Sequence, residues 1–299
     1  MCFEEDIRMK ALKLFLVIGA VIVALLALTS VFVYQSLTGS ETTPALLYVN
    51  SGVVEVNQGK GWVSAVHEME LGQGDSIRTL DGTATVVLFE GDVIRLASQT
   101  TITLSTVAEK TIALRQERGE TWNQVAKLTG TRDYSVETPN TVATVRGTSF
   151  NVQTETETDD VVVGDGVVSV TGKKSNKVHQ AKEKTKVRVS ADGVAEGRLS
   201  KEDKRKIVDS WKEDMITIKE LRERELRKHQ FLVEKAQEKY GVTDGQVEEF
   251  LVQLDLGKVN LDELESQIPV ELKSLTKLRS MTERVIVINQ KIQRLEREE

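Results

Sequence analysis

Between Leu47 and Ser190 the chain is a succession of short segments rich in β-branched residues, and no other feature constrains its fold as much. YVNSGVVEV, SIRTL, TATVVLF, DVIRLA, TITLS, TIALRQ, YSVET, SFNVQT, VVVGDGVVSV and TKVRVS are bounded by Gly, Asp or Asn, the composition of strands closed by turns. In Thr83–Phe89, Ala84, Val86 and Leu88 fall on one face, with Thr85, Val87 and Phe89 on the other. Both faces are partly apolar, as expected of a strand held between layers. Aromatic residues make up only 5% of the chain, so the core is expected to be built from Val, Leu, Ile and Thr. Asp81-Gly82 and Gly164-Asp165-Gly166 supply what tight hairpin turns need: glycine tolerates positive φ, and Asp bonds its own backbone. The pattern fits a mainly β domain, as a sandwich, an open barrel or a β-solenoid-like stack. No fixed-length repeat points to a regular solenoid.

A second feature lies upstream. From Leu14 to Tyr34 the chain reads LFLVIGAVIVALLALTSVFVY, without a charge. At ~1.5 Å per residue this spans the ~30 Å hydrocarbon core of a bilayer, and it exceeds the ~7–15 apolar residues of a cleaved signal peptide. One transmembrane helix is therefore expected over 14–36. Arg8, Lys10 and Lys13 precede it and the first charge beyond is Glu41, so the positive-inside bias places the N-terminus in the cytoplasm. This predicts a single-pass cell-membrane protein with the bulk of the chain extracytoplasmic and the lipid bilayer as a partner. Cys2 is the single cysteine, which excludes an intramolecular disulfide.

After Leu199 the pattern turns helical. Ser200, followed by Lys201, Glu202 and Asp203, reads as a helix cap with acidic residues in the first turn. The helix is expected to run to about Tyr240, where Gly241 stops it. Ile207, Trp211, Met215 and Ile218 share one of its faces. A shorter helix is expected near Asp244–Leu256, ending at Gly257, and a last one after Pro269. In that last helix Leu278, Met281, Val285, Ile288, Ile292 and Leu295 are spaced three, four, three, four and three, an a/d seam. It serves either a hairpin against the 201–240 helix or a coiled coil with a second copy or another protein.

The chemistry-bearing residues are scattered. His67, His179 and His229 are the only histidines and none has metal-ligand spacing such as HExxH. Ser64 with His67 lacks a nucleophile-elbow motif. Asp75 or Asp92 with Glu90 is the one carboxylate pairing to consider for hydrolysis, and Asp159, Asp160 and Asp165 lack the spacing of a calcium loop. Lys and Arg alternate with Glu and Asp, and the formal charge is −6, so no nucleic-acid footprint is present. Catalytic, cofactor-binding and metal residues are accordingly none, no cofactor is expected, and the chain reads as non-enzymatic. Arg146 is expected to pair with Glu137 or with backbone carbonyls, and Gly147 to permit a tight bend. Trp62 and Trp122 are expected as core or rim anchors, and Trp211 as a docking residue of the first helix.

The strand region also carries motifs in a fixed order. Leu71–Thr79 (LGQGDSIRT), Ala84–Gly91 (ATVVLFEG), Gly119–Trp122 (GETW) and Tyr134–Val152 (YSVETPNTVATVRGTSFNV) are followed by the valine-rich pair Val161–Val170. Together they resemble the FecR-like domain family across about 48–190. The resemblance implies an extracytoplasmic domain that senses or scaffolds; in well-known members it relays a signal from an outer-membrane receptor to a sigma factor. Those regulators bind the sigma factor through a cytoplasmic N-terminal domain, whereas here only Met1–Lys13 precedes the apolar span. The expected organisation is a cytoplasmic tail (1–13), the transmembrane helix (14–36), a linker (37–46), a FecR-like β-domain (47–198) and a helical region (199–299). The expected function is a membrane-anchored module of the cell envelope that binds or scaffolds a protein or an envelope polymer. Its protein contacts or self-association would run through the C-terminal helices. The alternative is a transmembrane signal-transduction regulator, sigma-factor-regulator-like, that senses an external ligand or receptor.

Overall fold

The computed structural model describes residues 45–297 apart from 90, 109, 127–132, 229, 231–233, 235–237, 239–240, 242 and 267–272, with the backbone alone at 264–266 and 273–276. The described residues fall into two compact units, one within Glu41–Ser210 and one within Trp211–Glu299.

The first unit is built from strands, all but one of them short enough to cross one layer and turn. They are β1 (Ala45–Ser51), β2 (Val54–Asn57), β3 (Trp62–Ser64), β4 (Met69–Leu71), β5 (Ser76–Thr79), β6 (Thr83–Leu88), β7 (Asp92–Leu96), β8 (Thr101–Ala108) and β9 (Thr111–Gln124). After these come β10 (Asp133–Glu137), β11 (Thr141–Val145), β12 (Ser149–Thr154), β13 (Asp159–Asp165), β14 (Val167–Gly172), β15 (Val178–Lys182), β16 (Thr185–Ser190) and β17 (Gly193–Arg198). All belong to one hydrogen-bonded network. Its ladders are antiparallel except β9 with β10, which run parallel from Thr111↔Asp133 to Arg115↔Glu137.

The sheet doubles over on itself through β9. Residues 111–118 of that strand pair with β8 and β10, whereas 119–124 pair with β7 and β12. One layer therefore runs β4, β1, β6, β7, β9, β12, β13, β16, β17. The other runs β3, β2, β5, β8, β9, β10, β11, β14, β15. The switch occurs at Gly119, whose φ of 88° lies where only glycine is at ease. A Cβ there would stand 2.5 Å from Thr100 Cα.

Between the layers lies one apolar core containing Leu47, Val56, Ile77, Val86, Ile94, Ile102, Leu114, Tyr134, Phe150, Val161, Val170 and Val187. Each fully buried Ile, Leu or Val contributes about 1.5–3 kcal/mol. Alternation along the strands explains the selection: in β6, Ala84, Val86 and Leu88 face this core. Val87 and Val93, on the opposite side of their strands, are buried as well at 3% and 1% exposure.

This architecture corrects the sequence expectation in two respects. A sandwich, an open barrel or a solenoid-like stack is replaced by a single mixed, open sheet that bends at Gly119. The turns at Asp81-Gly82 and Gly164–Gly166 are not hairpins: each carries the chain from one layer to the other, so β5 does not pair with β6, nor β13 with β14. Alternation tells which side chains share a face, but it does not tell which strand lies alongside.

A further correction concerns the membrane. The transmembrane helix expected over 14–36 lies outside the described residues, and among those described no helix is long and apolar enough to cross a bilayer. The two that exceed the ~20 residues required are studded with Lys, Arg, Asp and Glu: α1 (Lys201–Arg227) and α4 (Lys273–Glu296). The single-pass, membrane-anchored architecture is unsupported. With it fall the lipid bilayer as a partner, the cell-membrane location with an extracytoplasmic body, and the envelope-scaffold function built on them.

Helix α1 opens with a capping box. Ser200 Oγ accepts from the Asp203 N–H at 3.0 Å, and the Asp203 carboxylate accepts from the Ser200 N–H at 2.9 Å. The second unit holds α1 from Trp211 onward, α2 (Asp244–Asp255), α3 (Leu261–Ser266) and α4. Helix α2 starts with a Thr243–Gln246 capping box and closes before Gly257, at φ 68°. The pairs Lys212–Glu296, at 2.8 Å, and Lys277–Glu225, at 2.9 Å, show α1 and α4 running antiparallel. Met281, Val285, Ile288, Ile292 and Leu295 are all buried, so the a/d seam packs inside this unit as a helical hairpin.

Candidate interaction surfaces

The motifs that stand out in the sequence converge on one edge of the folded sheet, where the chain passes between layers and successive corners stack. Val53 N–H donates to Asp81 Oδ1 at 2.9 Å, and Leu80 N–H to Val53 O at 3.0 Å. Gly82 has no room for a side chain, since a Cβ would lie 2.2 Å from Ser51 O. Thr79, fully buried, donates its hydroxyl to Ala97 O at 2.5 Å and accepts from Thr100 N–H at 2.9 Å. Thr100 Oγ1 accepts from Glu120 N–H at 3.0 Å. Further along, Val125 N–H donates to Thr148 O at 2.9 Å, and Lys184 N–H to Val163 O at 2.8 Å.

Arg146-Gly147-Thr148 is one of these corners. Gly147 has a φ of 61°, and Thr148 is buried, with its hydroxyl 3.3 Å from Val167 O on the next corner. Arg146 points to solvent and pairs with Asp133, at 2.9 Å from Nη2 to Oδ1. The expected partner, Glu137, is engaged instead by Lys173 at 2.6 Å. Arg146 stands across β10 and β11 from Asp133, a relation set by strand register rather than by distance along the chain.

The carboxylates singled out earlier serve turns. Asp75 Oδ2 accepts from Gly72 N–H and from Gln58 Nε2, both at 2.8 Å. Asp92 is buried and accepts from Ala126 N–H at 2.7 Å; Glu90 lies outside the described residues. Asp159, fully buried, receives the Thr138 hydroxyl at 2.5 Å and Asn140 Nδ2 at 3.3 Å. Thr138 Oγ1 in turn accepts from Thr141 N–H at 2.8 Å, which locks the Thr138-Pro139-Asn140 turn. Asp160 is bound by Arg188 through two 2.7 Å hydrogen bonds. Burial alone would raise its carboxyl, but the hydrogen bonds and charges of Arg188 and Lys186 hold it below the usual carboxylate range.

The two described histidines do not assemble a site. His67 packs edge-on against Tyr48, with ring centroids 5.3 Å apart, and its Nδ1 lies 3.3 Å from Val49 O, while Ser64 is exposed. His179 pairs with Glu196, joining β15 to β17 across the open end of the sheet. His229 and Cys2 lie outside the described residues. Among the described residues no three His, Cys, Asp or Glu side chains form a metal-holding group.

Sequence reasoning missed a buried polar chain. Tyr134 donates to Asn123 Oδ1 at 2.6 Å, Asn123 Nδ2 to Thr121 Oγ1 at 3.0 Å, and Thr121 to Gln116 Oε1 at 2.8 Å. Gln116 Nε2 then reaches Gly119 O at 2.8 Å and Val152 O at 3.0 Å. Burial, with Asp92 nearby, pushes the Tyr134 hydroxyl well above its ordinary pKa, so it stays a donor. The chain ties both halves of β9 to β10 and β12. Only the polar spacing in Gln116–Asn123 hinted at it.

What faces outward differs between the two layers. On one, Trp122 lies against Gly164, where an added Cβ would be 3.0 Å from its ring and 3.3 Å from Ile207 of α1. The first turns of α1 dock on this side through Arg95 Nη2 to Ser210 O at 2.5 Å, Lys186–Asp203 at 3.3 Å and Lys206–Glu120 at 3.5 Å. On the other layer Trp62 sits at the rim under the Arg78 guanidinium, 4.3 Å from the ring centroid, and Arg78 is held by Glu55 at 2.5 Å. Trp62 is thus a rim residue and Trp122 a packed one.

Residues 75–169 match the family model described as FecR protein, a span that includes the corners just described and less than half of the chain. That segment is FecR-like. No curated protein matches the chain. Two crystal structures of a candidate anti-sigma factor from Parabacteroides distasonis ATCC 8503, at 1.65 and 2.50 Å, are similar at 23% identity with a TM-score of 0.37. The similarity covers 42% of this chain and 60% of that one, so this chain spans less than two thirds of that protein's length.

Proposed function

We propose that the protein is a non-enzymatic, protein-binding regulator of signal transduction, of the sigma-factor-regulator kind, with the FecR-like β-domain as its receiving part. The FecR match over residues 75–169 carries this reading. The geometry is in keeping with it: the motif residues are consumed by corners and buried hydrogen bonds, which leaves the outer surfaces for recognition by another protein. Domain boundaries at 47–198 and 199–299 are part of the same proposal.

The test is binding of the purified full-length chain to purified sigma factors of its host, measured by biolayer interferometry. Saturable binding to one sigma factor, with a dissociation constant of about 1 μM or tighter, is expected of a physiological regulator. Absence of saturable binding to every one of them would overturn the assignment.

A further inference from the structure

The structure points to a docking edge for an acidic, extended segment of a partner protein along β15, and we propose that this is where the receiving domain takes its partner. The inference rests on the regulator reading and names the chemistry of the partner. Among the described residues, strand β15 ends its layer and is joined to the sheet by one ladder, to β14, from Val167↔Lys182 to Thr171↔Val178. An edge of this kind presents backbone donors and acceptors that an incoming strand can use.

Charge selects the occupant. The segment from Lys173 to Arg188 holds Lys173, Lys174, Lys177, Lys182, Lys184, Lys186 and Arg188 against a single acidic residue, Glu183. Three of these cations already have carboxylate partners: Lys173 with Glu137, Lys186 with Asp160 and Asp203, and Arg188 with Asp160. Lys174, Lys177 and Lys182 are exposed and have no ion pair or side-chain hydrogen bond among the described residues. They bracket the strand, two in the turn before it and one at its end. A lysine-guarded edge repels a second edge like itself, and it leaves the same edge open to an acidic strand.

Apolar exposure narrows the occupant further. Val178 and Val167 are 62% and 48% exposed and sit on the outer side of β15 and β14. Between them Gln180 donates to Ser169 at 2.9 Å. Two bare valines beside three unpaired lysines suit a peptide whose acidic and β-branched residues alternate, because such a strand presents one kind to each side. A phosphate polymer would use the lysines and leave the valines and the backbone edge unused.

The experiment titrates the full-length chain into a labelled peptide of alternating Glu and Val, following anisotropy, with hydrogen exchange on the complex. The expected result is saturable binding, slowed exchange at the amides of Val178–Lys182, and affinity weakened by about tenfold or more in K174E/K177E/K182E. Should that triple variant fail to fold, Lys182→Gln alone is expected to weaken binding by about threefold. No saturable binding, unchanged affinity in the variants, or inorganic polyphosphate binding without slowed exchange at β15 would each overturn the proposal. A failure here leaves sigma-factor binding unaffected. Peptide binding by a chain that binds no sigma factor would instead count against the regulator reading alone.

Discussion

Arg222 on α1 grips Asp255 at the end of α2 through two parallel hydrogen bonds, Nη1 to Oδ1 at 2.5 Å and Nη2 to Oδ2 at 3.1 Å. Both side chains are buried, at 4% and 8% exposure, and Lys219 adds a third contact to Asp255 at 3.0 Å. Asp255→Ala would leave the guanidinium buried without its counter-ion. The expected loss is about 3 kcal/mol in the helical unit, read as a lower urea midpoint for the helical circular dichroism signal. Replacing both partners with apolar residues of similar volume should cost markedly less.

The same pair sets an acid limit. Burial alone would raise the Asp255 carboxyl, but the hydrogen bonds and charges of Arg222 and Lys219 outweigh it and hold the group below its ordinary value. A carboxylate depressed in the folded state contributes stability above its unfolded pKa of about 4 and loses that contribution as pH falls through the lower folded value. The helical unit is therefore expected to weaken below about pH 4. Asp255→Asn should be less stable at neutral pH and flatter across that acid range in urea melts recorded between pH 2 and pH 6.

Corner glycines should separate by what surrounds them. Gly119→Ala places a Cβ 2.5 Å from Thr100 Cα at a φ of 88°, so backbone must move and a loss above about 3 kcal/mol is expected. Gly59 has a similar φ of 81° but nothing within 4 Å; Gly59→Ala should cost only about 1 kcal/mol. Thermal melts of the two variants compare them directly.

Within the motif region the most conspicuous residue should matter least for stability. Arg146 is two-thirds exposed and its pair with Asp133 faces water, so Arg146→Ala should cost under about 1 kcal/mol. Thr138→Val removes the acceptor of two backbone N–H groups and the donor to buried Asp159. A loss of about 2–3 kcal/mol is expected. Equilibrium unfolding of both variants under one set of conditions tests the contrast.

The alternation of Ala84, Val86 and Leu88 was enough to place β6 between apolar surroundings, and Ser200 was enough to start α1. The seam from Met281 to Leu295 was visible as spacing, but whether it packs within the chain depended on Ile218 and Leu221 lying on an antiparallel neighbour, which spacing does not encode. Short strands such as Trp62–Ser64 and Gly193–Arg198 carried too few β-branched residues to register. The layer-crossing role of Gly82 and Gly166 was hidden because a hairpin and a corner ask the same thing of glycine. Asp133 went unnoticed as the partner of Arg146 because β10 and β11 fix that pairing through register. The apolar run Leu14–Tyr34 lies outside the described residues, so its hydropathy has no packing to be read against.

Transcript profiling of the host with and without the gene addresses the regulatory role most directly. Deletion is expected to shift a discrete set of promoters, and the shift should be reversed by the wild-type gene but not by the Gly119→Ala form, whose β-domain is disrupted. An unchanged profile on deletion, or full rescue by a Gly119→Ala protein shown to be unfolded, would contradict the account.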